Sequence, residues 1–183
     1  VLKTDTIEVS CSSSSVILVP IRVRDFTDVA GMQFTFQWNP AHLDYAYITD
    51  INPAFDAVAF DSINLVNTGK FTFSWSQLNS VTLPDDAVVL NVAFNRIGGP
   101  ATTLNFIEDP TAIFVFNGSF EEIPYTLGPG LIKPLDSTLP AIACPPNVTV
   151  QGAGGVPVNN IAPASSSDDC GAPVIGWTST GAT

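Results

Sequence analysis

The sequence predicts an all-β protein in which two sheets pack face to face. Apolar residues make up 45% of the 183 residues and charged residues only 13%, about half of the usual charged share near 25%. Short segments in which apolar and polar side chains alternate are separated by Gly, Pro, Asn and Asp, as in half-buried strands joined by turns. About ten such segments follow one another, which indicates a two-sheet sandwich or jelly roll.

The first predicted strands lie at 4–10 and 16–24, and Pro20 places the second of them at a sheet edge or a bulge. The clearest strand spans 32–38, where every second residue is Met or aromatic. A helical signal over 77–87 is the one departure from the strand pattern. The remaining strands are predicted at 43–48, 55–60, 63–65, 70–76, 88–96, 102–107, 113–117 and 130–132.

The aromatic residues of strands 32–38 and 70–76 share one side of each strand with Met32. We interpret this side as the buried core of the sandwich. A sugar-stacking platform would need aromatic residues on the opposite, solvent-facing side, where the pattern places none. That opposite side is polar and almost uncharged, as in an ordinary solvated sheet face or in a protein-docking face that relies on hydrogen bonds. In the second interpretation it is the predicted partner-binding face, which comprises Gln33, Thr35, Gln37, Thr72, Ser74, Asn91 and Asn95.

Charge and motifs exclude several functional classes. The net charge of −11 and the pI near 4.1 argue against nucleic-acid binding, which needs a basic surface. No apolar run is long enough to insert into a membrane, and the composition is typical of an extracellular or cell-surface protein. The only histidine, His42, lacks the motifs of a zinc site, a hydrolase triad or a nucleotide site. The chain is therefore predicted to be non-enzymatic and to need no cofactor.

Three cysteines occur, and none forms a CxxC pair, which disfavours zinc and redox roles. A disulfide between Cys144 and Cys170 would close a loop of modest length, leaving Cys11 alone and buried in a strand. Calcium is a minor alternative, for which Asp25 and Asp28 could supply oxygen ligands.

The stretch 4–132 resembles a bacterial cohesin domain. The resemblance lies in segments 5–9, 19–23, 71–76 and 128–132, and above all in 29–43, which is similar to the cohesin signature G…F…[WY]-[DN]-P…L. It implies a nine-stranded jelly roll that binds dockerins through one sheet face, here formed by strands 33–37, 72–76 and 89–95.

The stretch 140–183 resembles the first half of a hyalin-type (HYR) repeat, an immunoglobulin-like adhesion module. The matching order is I-x-C-P-x-N-[IV]-T-V at 142–150, followed by Asp168, Asp169 and Cys170. The domains are therefore predicted as a cohesin-like sandwich at 1–133, a linker at 134–139 and a partial Ig-like segment at 140–183. Half a sandwich leaves strand edges unpaired, so the second module is expected to be truncated or to be completed by a neighbouring chain.

The combination suggests a secreted or surface glycoprotein of a Bacteroidetes-type bacterium. O-glycosylation sequons lie at Thr6, Ser62 and Ser137, and N-glycosylation sequons lie at Asn117 and Asn147. The main functional prediction is an adhesion or filament-forming structural protein that acts through protein–protein contacts or self-assembly, including strand sharing between subunits. The alternatives are a dockerin-binding cohesin module of a scaffold and a carbohydrate-binding module of a larger secreted enzyme.

Overall fold

The computed structural model describes residues 1–11, 15–56, 58–61, 65–143, 165–168 and 170. A single 3₁₀ turn, Val66–Thr68, is the only helical element among them. None of the helices in these ranges is long and apolar enough to cross a bilayer. The strands are β1 Leu2–Thr4, β2 Thr6–Ser10, β3 Ile17–Val23, β4 Phe26–Gln37, β5 Leu43–Thr49, β6 Ala59–Asp61, β7 Lys70–Leu83, β8 Ala87–Arg96, β9 Thr102–Ile107, β10 Phe114–Asn117, β11 Leu127–Gly128, β12 Gly130–Leu135, β13 Ala141–Ala143 and β14 Ser165–Ser167.

Two sheets form the sandwich. The first has the strand order β11-β1-β3-β8-β5, and the second has the order β2-β12-β9-β4-β7-β6, with β10 also paired to β4. Strands β9 and β10 follow one another along the same edge of β4, because β9 pairs with 35–37 and β10 pairs with 29–33. The predicted all-β, jelly-roll architecture is confirmed.

The aromatic residues fill the space between the sheets. Phe34 and Phe73 are fully buried and stack with ring centroids 4.8 Å apart. Phe106 meets Phe34 edge to face at 5.4 Å, an arrangement that aromatic pairs favour. The predicted burial of the aromatic side of strands 32–38 and 70–76 is confirmed, so the opposite side of these strands is the outer face of the second sheet.

The helix predicted over 77–87 is wrong, because β7 continues as a strand to Leu83. Its long partner β4 begins at Phe26, and the two strands stay paired from Gln37↔Lys70 to Phe26↔Leu83, with register shifts around Val29. Pairing along the whole length of β4 supplies backbone hydrogen bonds that outweigh a weak local helical preference.

The predicted disulfide between Cys144 and Cys170 is wrong, because Cys170 is bonded to Cys11. The Cα atoms of this pair lie 5.0 Å apart, and 159 residues separate them in the sequence. Cys11 follows β2 directly, and its N–H donates to the carbonyl of Leu135 at the end of β12. Parallel pairing of β2 with β12 therefore places Cys11 where the C-terminal segment leaves the sandwich. The prediction that Cys11 is alone and buried in a strand is wrong, because it is disulfide-bonded and half-buried in a turn.

Strand β12 runs to Leu135, two residues into the predicted linker. Beyond it, β13 and β14 pair antiparallel. Cys144 and most of 140–183 lie outside the described residues, so the division into domains and the Ig-like interpretation stay predictions.

Candidate functional site

The predicted partner-binding face is divided between the two sheets. Gln33 lies opposite Ser74, and Thr35 lies opposite Thr72, on the neighbouring strands β4 and β7 of the second sheet. Asn91 and Asn95, by contrast, lie on β8 in the first sheet. Grouping strand 89–95 with this face was therefore wrong.

The physical reason is that the chain passes from the second sheet to the first between β7 and β8. The short turn after β7 leads into β8, where Asn91 pairs with Pro20 and Thr49. Alternation along a strand shows which residues face outward, but it does not show to which sheet the strand belongs. Asn91 donates to the carboxylate of Asp50 at 2.9 Å on that separate surface.

Part of the remaining face is covered by the connection between β9 and β10. Thr35 is fully buried; its hydroxyl donates to the carbonyl of Thr111 at 3.0 Å and accepts from the Thr111 N–H at 3.0 Å. The side-chain amide of Gln33 donates to the carbonyl of Ala112 at 3.0 Å. Both residues therefore hold a loop in place, and Thr35 is closed to a partner, whereas Gln33 is half-buried.

The accessible part of the face lies on β7 and comprises half-buried Thr72 with exposed Ser74 and Ser76. These hydroxyl groups are uncharged and lie in a row, because alternate residues of a strand share a face. The row can offer hydrogen bonds to a partner at a small desolvation cost.

Next to this row lies an exposed aromatic cluster on and after β10, which sequence reasoning missed. We call Phe114, Phe116 and Phe120 the aromatic patch. The ring of Phe116 lies over Gly31, in the space that a Cβ atom there would need. Phe120 stacks on Phe116 with centroids 5.9 Å apart. The exposed fractions of Phe114 and Phe120 are 44% and 64%.

The aromatic patch lines an open cavity of about 290 Å³ together with Val115 and Glu122. A signal for it was present in the sequence, namely the alternation Phe-Val-Phe at 114–116 followed by Phe120 after the Asn-Gly turn pair. Alternation predicts that one side of β10 is apolar, but β10 turns that side outward and buries Val115 instead.

A tight turn presents Phe120. The Asn117 side-chain oxygen accepts hydrogen bonds from the N–H groups of Ser119 and Glu121, at 2.9 and 3.0 Å. Phe120 has a φ of 61°, in the left-handed region that bulky residues rarely adopt. The turn therefore holds a large apolar residue in an unfavourable backbone conformation on the surface.

A polar groove lies at the other end of β4, with a volume of about 310 Å³. Its lining includes Gln37, Asn39, Asn105 and half-buried His42. The Nδ1 of His42 is 2.7 Å from the hydroxyl of Thr102. This ring nitrogen therefore contacts a hydroxyl and not the carboxylate that orients the histidine of a hydrolase triad.

All six Lys and Arg side chains have partners. Arg96 donates to the carbonyl of Gly99, and the other five form ion pairs, which are Lys3–Asp86, Arg22–Asp5, Arg24–Asp86, Lys70–Asp109 and Lys133–Glu8. Hydrogen bonds from Arg24 and Lys3 hold the pKa of Asp86 well below its usual range. Similarly, the hydrogen bond from Lys133 lowers the pKa of Glu8. Most of the 17 acidic residues are left without a cation of their own.

The predicted calcium ligands Asp25 and Asp28 both have positive φ, 51° and 56°. The Asp25 N–H donates to the Asp85 carboxylate, and the Asp28 N–H donates to the Thr82 hydroxyl. Within the described ranges, no three His, Cys, Asp or Glu side chains come together in a way that could hold a metal ion. Calcium binding stays a prediction without geometric support.

The glycosylation sites stay predictions. Thr6 and Ser137 are exposed, whereas Asn117 is half-buried in the turn before Phe120. Ser62 and Asn147 lie outside the described residues.

No family model matches this chain. No curated protein matches it either. Solved structures do match this chain.

The sixth cohesin of scaffoldin B from Acetivibrio cellulolyticus, in complex with a Cel5 dockerin, superposes with a TM-score of 0.58 at 15% identity. The match covers 73% of this chain and 97% of that cohesin.

A type I cohesin–dockerin complex from Clostridium thermocellum superposes with a TM-score of 0.61 at 9% identity, covering 73% of this chain and 97% of the cohesin. A non-cellulosomal cohesin from the archaeon Archaeoglobus fulgidus has a TM-score of 0.58 at 12% identity, covering 73% of this chain and 89% of its own. At such identities the likeness concerns the fold. This chain therefore has a cohesin-like fold over about three quarters of its length.

Proposed function

We propose that this chain is a non-catalytic, extracellular interaction module that docks a partner protein on the outer face of its second sheet. The observation that carries the proposal is the uncharged hydroxyl row on β7 beside the aromatic patch. A polar row next to an apolar cluster is the usual composition of a protein-binding surface, in which a few buried anchors are flanked by hydrogen-bonding groups.

A dockerin-type partner fits this proposal better than a filament contact does. Two of the cohesins described above were solved in complex with dockerins, which supports the same use of the fold here. An adhesion or filament role by strand sharing would need the C-terminal segment to leave its own chain. The intrachain disulfide instead bonds Cys170 to Cys11, directly after β2.

Binding of a panel of calcium-loaded dockerins to the purified, oxidised chain tests the proposal. Isothermal titration calorimetry should find at least one binder, and Ser74→Arg should weaken it at least about tenfold, because a long cation would block the hydroxyl row. Asn95→Arg is the matched control, because this exposed residue lies on the first sheet. Equal losses in both variants, or no binder in the panel, would contradict the proposal.

A further inference from the structure

We infer that the aromatic patch is the anchor point of this docking face and that it binds a cationic amphipathic segment of the partner protein. This inference rests on the proposed function, which it deepens by assigning the partner's chemistry. Three separate features of the described residues support it: the strain and exposure of Phe120, the shape of the cavity, and the distribution of charge.

The protein keeps Phe120 in a conformation and a position that are both unfavourable. A left-handed φ costs a bulky residue free energy, and a phenyl ring that is 64% exposed loses most of the benefit of burial. Gly or Asn would remove the strain at this position. Because the Asn117 turn maintains the arrangement, the exposed ring is expected to have a role that needs a partner surface.

The cavity beside the rings suits an apolar side chain of a partner. Phe114 and Phe120 flank it, and Val115 lies within its lining. The Phe116 ring lies in the space that the missing side chain of Gly31 leaves, so the backbone of β4 supports the ring from below. An aromatic surface supported in this way is typical of interface hot spots.

The surroundings of the patch are acidic. Glu122 lines the cavity, exposed Glu121 precedes it, and the Asp28 carboxylate lies close to Gly118 in the adjoining turn. The cations of the chain are already bonded elsewhere, in five ion pairs and one contact to the carbonyl of Gly99. A partner with Lys or Arg beside its apolar ridge would therefore supply the charge that complements this surface.

The same charges argue against a second copy of this chain as the occupant. Each copy carries a net charge of −11 and would bring the same carboxylates to a symmetric contact through the patch. An amphipathic helix with Leu at i, i+3, i+4 and i+7 and Lys on both flanks has the required combination of an apolar ridge and positive charge.

Fluorescence anisotropy with three synthetic peptides tests this inference on the full oxidised chain. The first is such a Leu/Lys helix, the second replaces every Lys with Glu, and the third scrambles the first sequence while keeping its composition. We expect the first peptide to bind at least about tenfold more tightly than the other two. Equal binding of the scrambled peptide would mean that charge alone is responsible, and it would overturn the inference.

Variants locate the binding site. Phe120→Asn, which suits the left-handed backbone and so should fold normally, and Phe114→Ser should each weaken binding of the first peptide about tenfold. Leu18→Ser is the matched control, because Leu18 is a similarly exposed apolar residue, at 45%, on the first sheet. The inference is overturned if both Phe120→Asn and Phe114→Ser bind the first peptide like the unmodified chain. It is also overturned if analytical ultracentrifugation shows a dimer that Phe120→Asn abolishes.

The two proposals can fail separately. If Ser74→Arg abolishes dockerin binding while the Phe120→Asn and Phe114→Ser variants bind both dockerin and peptide normally, the inference fails and the proposed function stands. If Ser74→Arg has no effect on partner binding and the two Phe variants also bind normally, the proposed function and the inference both fail.

Discussion

Thr35 is expected to stabilise the protein by holding the β9–β10 connection against the second sheet, and Thr35→Val removes this contact. Valine keeps the β-branched shape, so little cavity is created. The N–H and carbonyl of Thr111 then lose the Thr35 hydroxyl, which lies 3.0 Å from each of them in the unmodified protein. Each lost hydrogen bond contributes about 1 kcal/mol, so we expect the free energy of unfolding to fall by about 2 kcal/mol.

Urea denaturation monitored by tryptophan fluorescence measures this change. In a domain of this size, about 2 kcal/mol corresponds to a decrease in Tm of about 4–8 °C. Hydrogen exchange at the Thr111 amide should also accelerate, because this amide then has no protein acceptor.

The matched control is Thr72→Val, on the strand beside Thr35 in the same sheet. Thr72 lies directly opposite Thr35 but is half-buried, and no side-chain hydrogen bond is found for it among the described residues. Its substitution should change stability by less than about 0.5 kcal/mol. If Thr35→Val costs no more than Thr72→Val, the reasoning about the loop is refuted.

Three further predictions follow from the structure. Cys170→Ser should lower stability by up to about 5 kcal/mol, because the disulfide with Cys11 closes a 159-residue separation in the unfolded chain; calorimetry measures this. Asp86 has a lowered pKa in the folded state, so its contribution is present above its unfolded pKa and is lost as the pH falls below that value. Asp86→Asn should therefore flatten the dependence of Tm on pH below about pH 4. Gly31→Ala should displace the Phe116 ring and weaken binding of the Leu/Lys peptide, as measured by anisotropy.

Each of these predictions has its own contradicting result. An unchanged Tm in Cys170→Ser would show that the C-terminal segment lies outside the cooperative unit. If Tm falls with decreasing pH at the same slope in Asp86→Asn as in the unmodified protein, the pKa of Asp86 in the folded state is not lowered. Normal peptide binding by a folded Gly31→Ala protein would show that the Phe116 ring is not part of the anchor.

The sequence by itself determined the fold class and the buried side of the central strands. Alternation in 32–38 predicted that Phe34 is buried, and the structure confirms this. Such a pattern is readable because side chains of a strand point to opposite faces in turn, so burial is recorded at every second residue.

The tertiary structure alone decided which polar residues share a surface. Asn91 and Gln33 both face outward, but they lie on different sheets. Thr35 also faces outward, yet the chain 76 residues later covers it. The pairing of Cys11 with Cys170 likewise depends on strand order, which alternation does not encode.

The aromatic patch shows the same division. The Phe-Val-Phe alternation lies in the strand predicted at 113–117, but it does not show which side of that strand faces the core. Only the pairing of β10 with β4, where Gly31 leaves room for the Phe116 ring, turns that side outward. A strand's local pattern thus records that it has an apolar side, whereas the long-range contacts that choose its neighbours decide whether that side is buried or exposed.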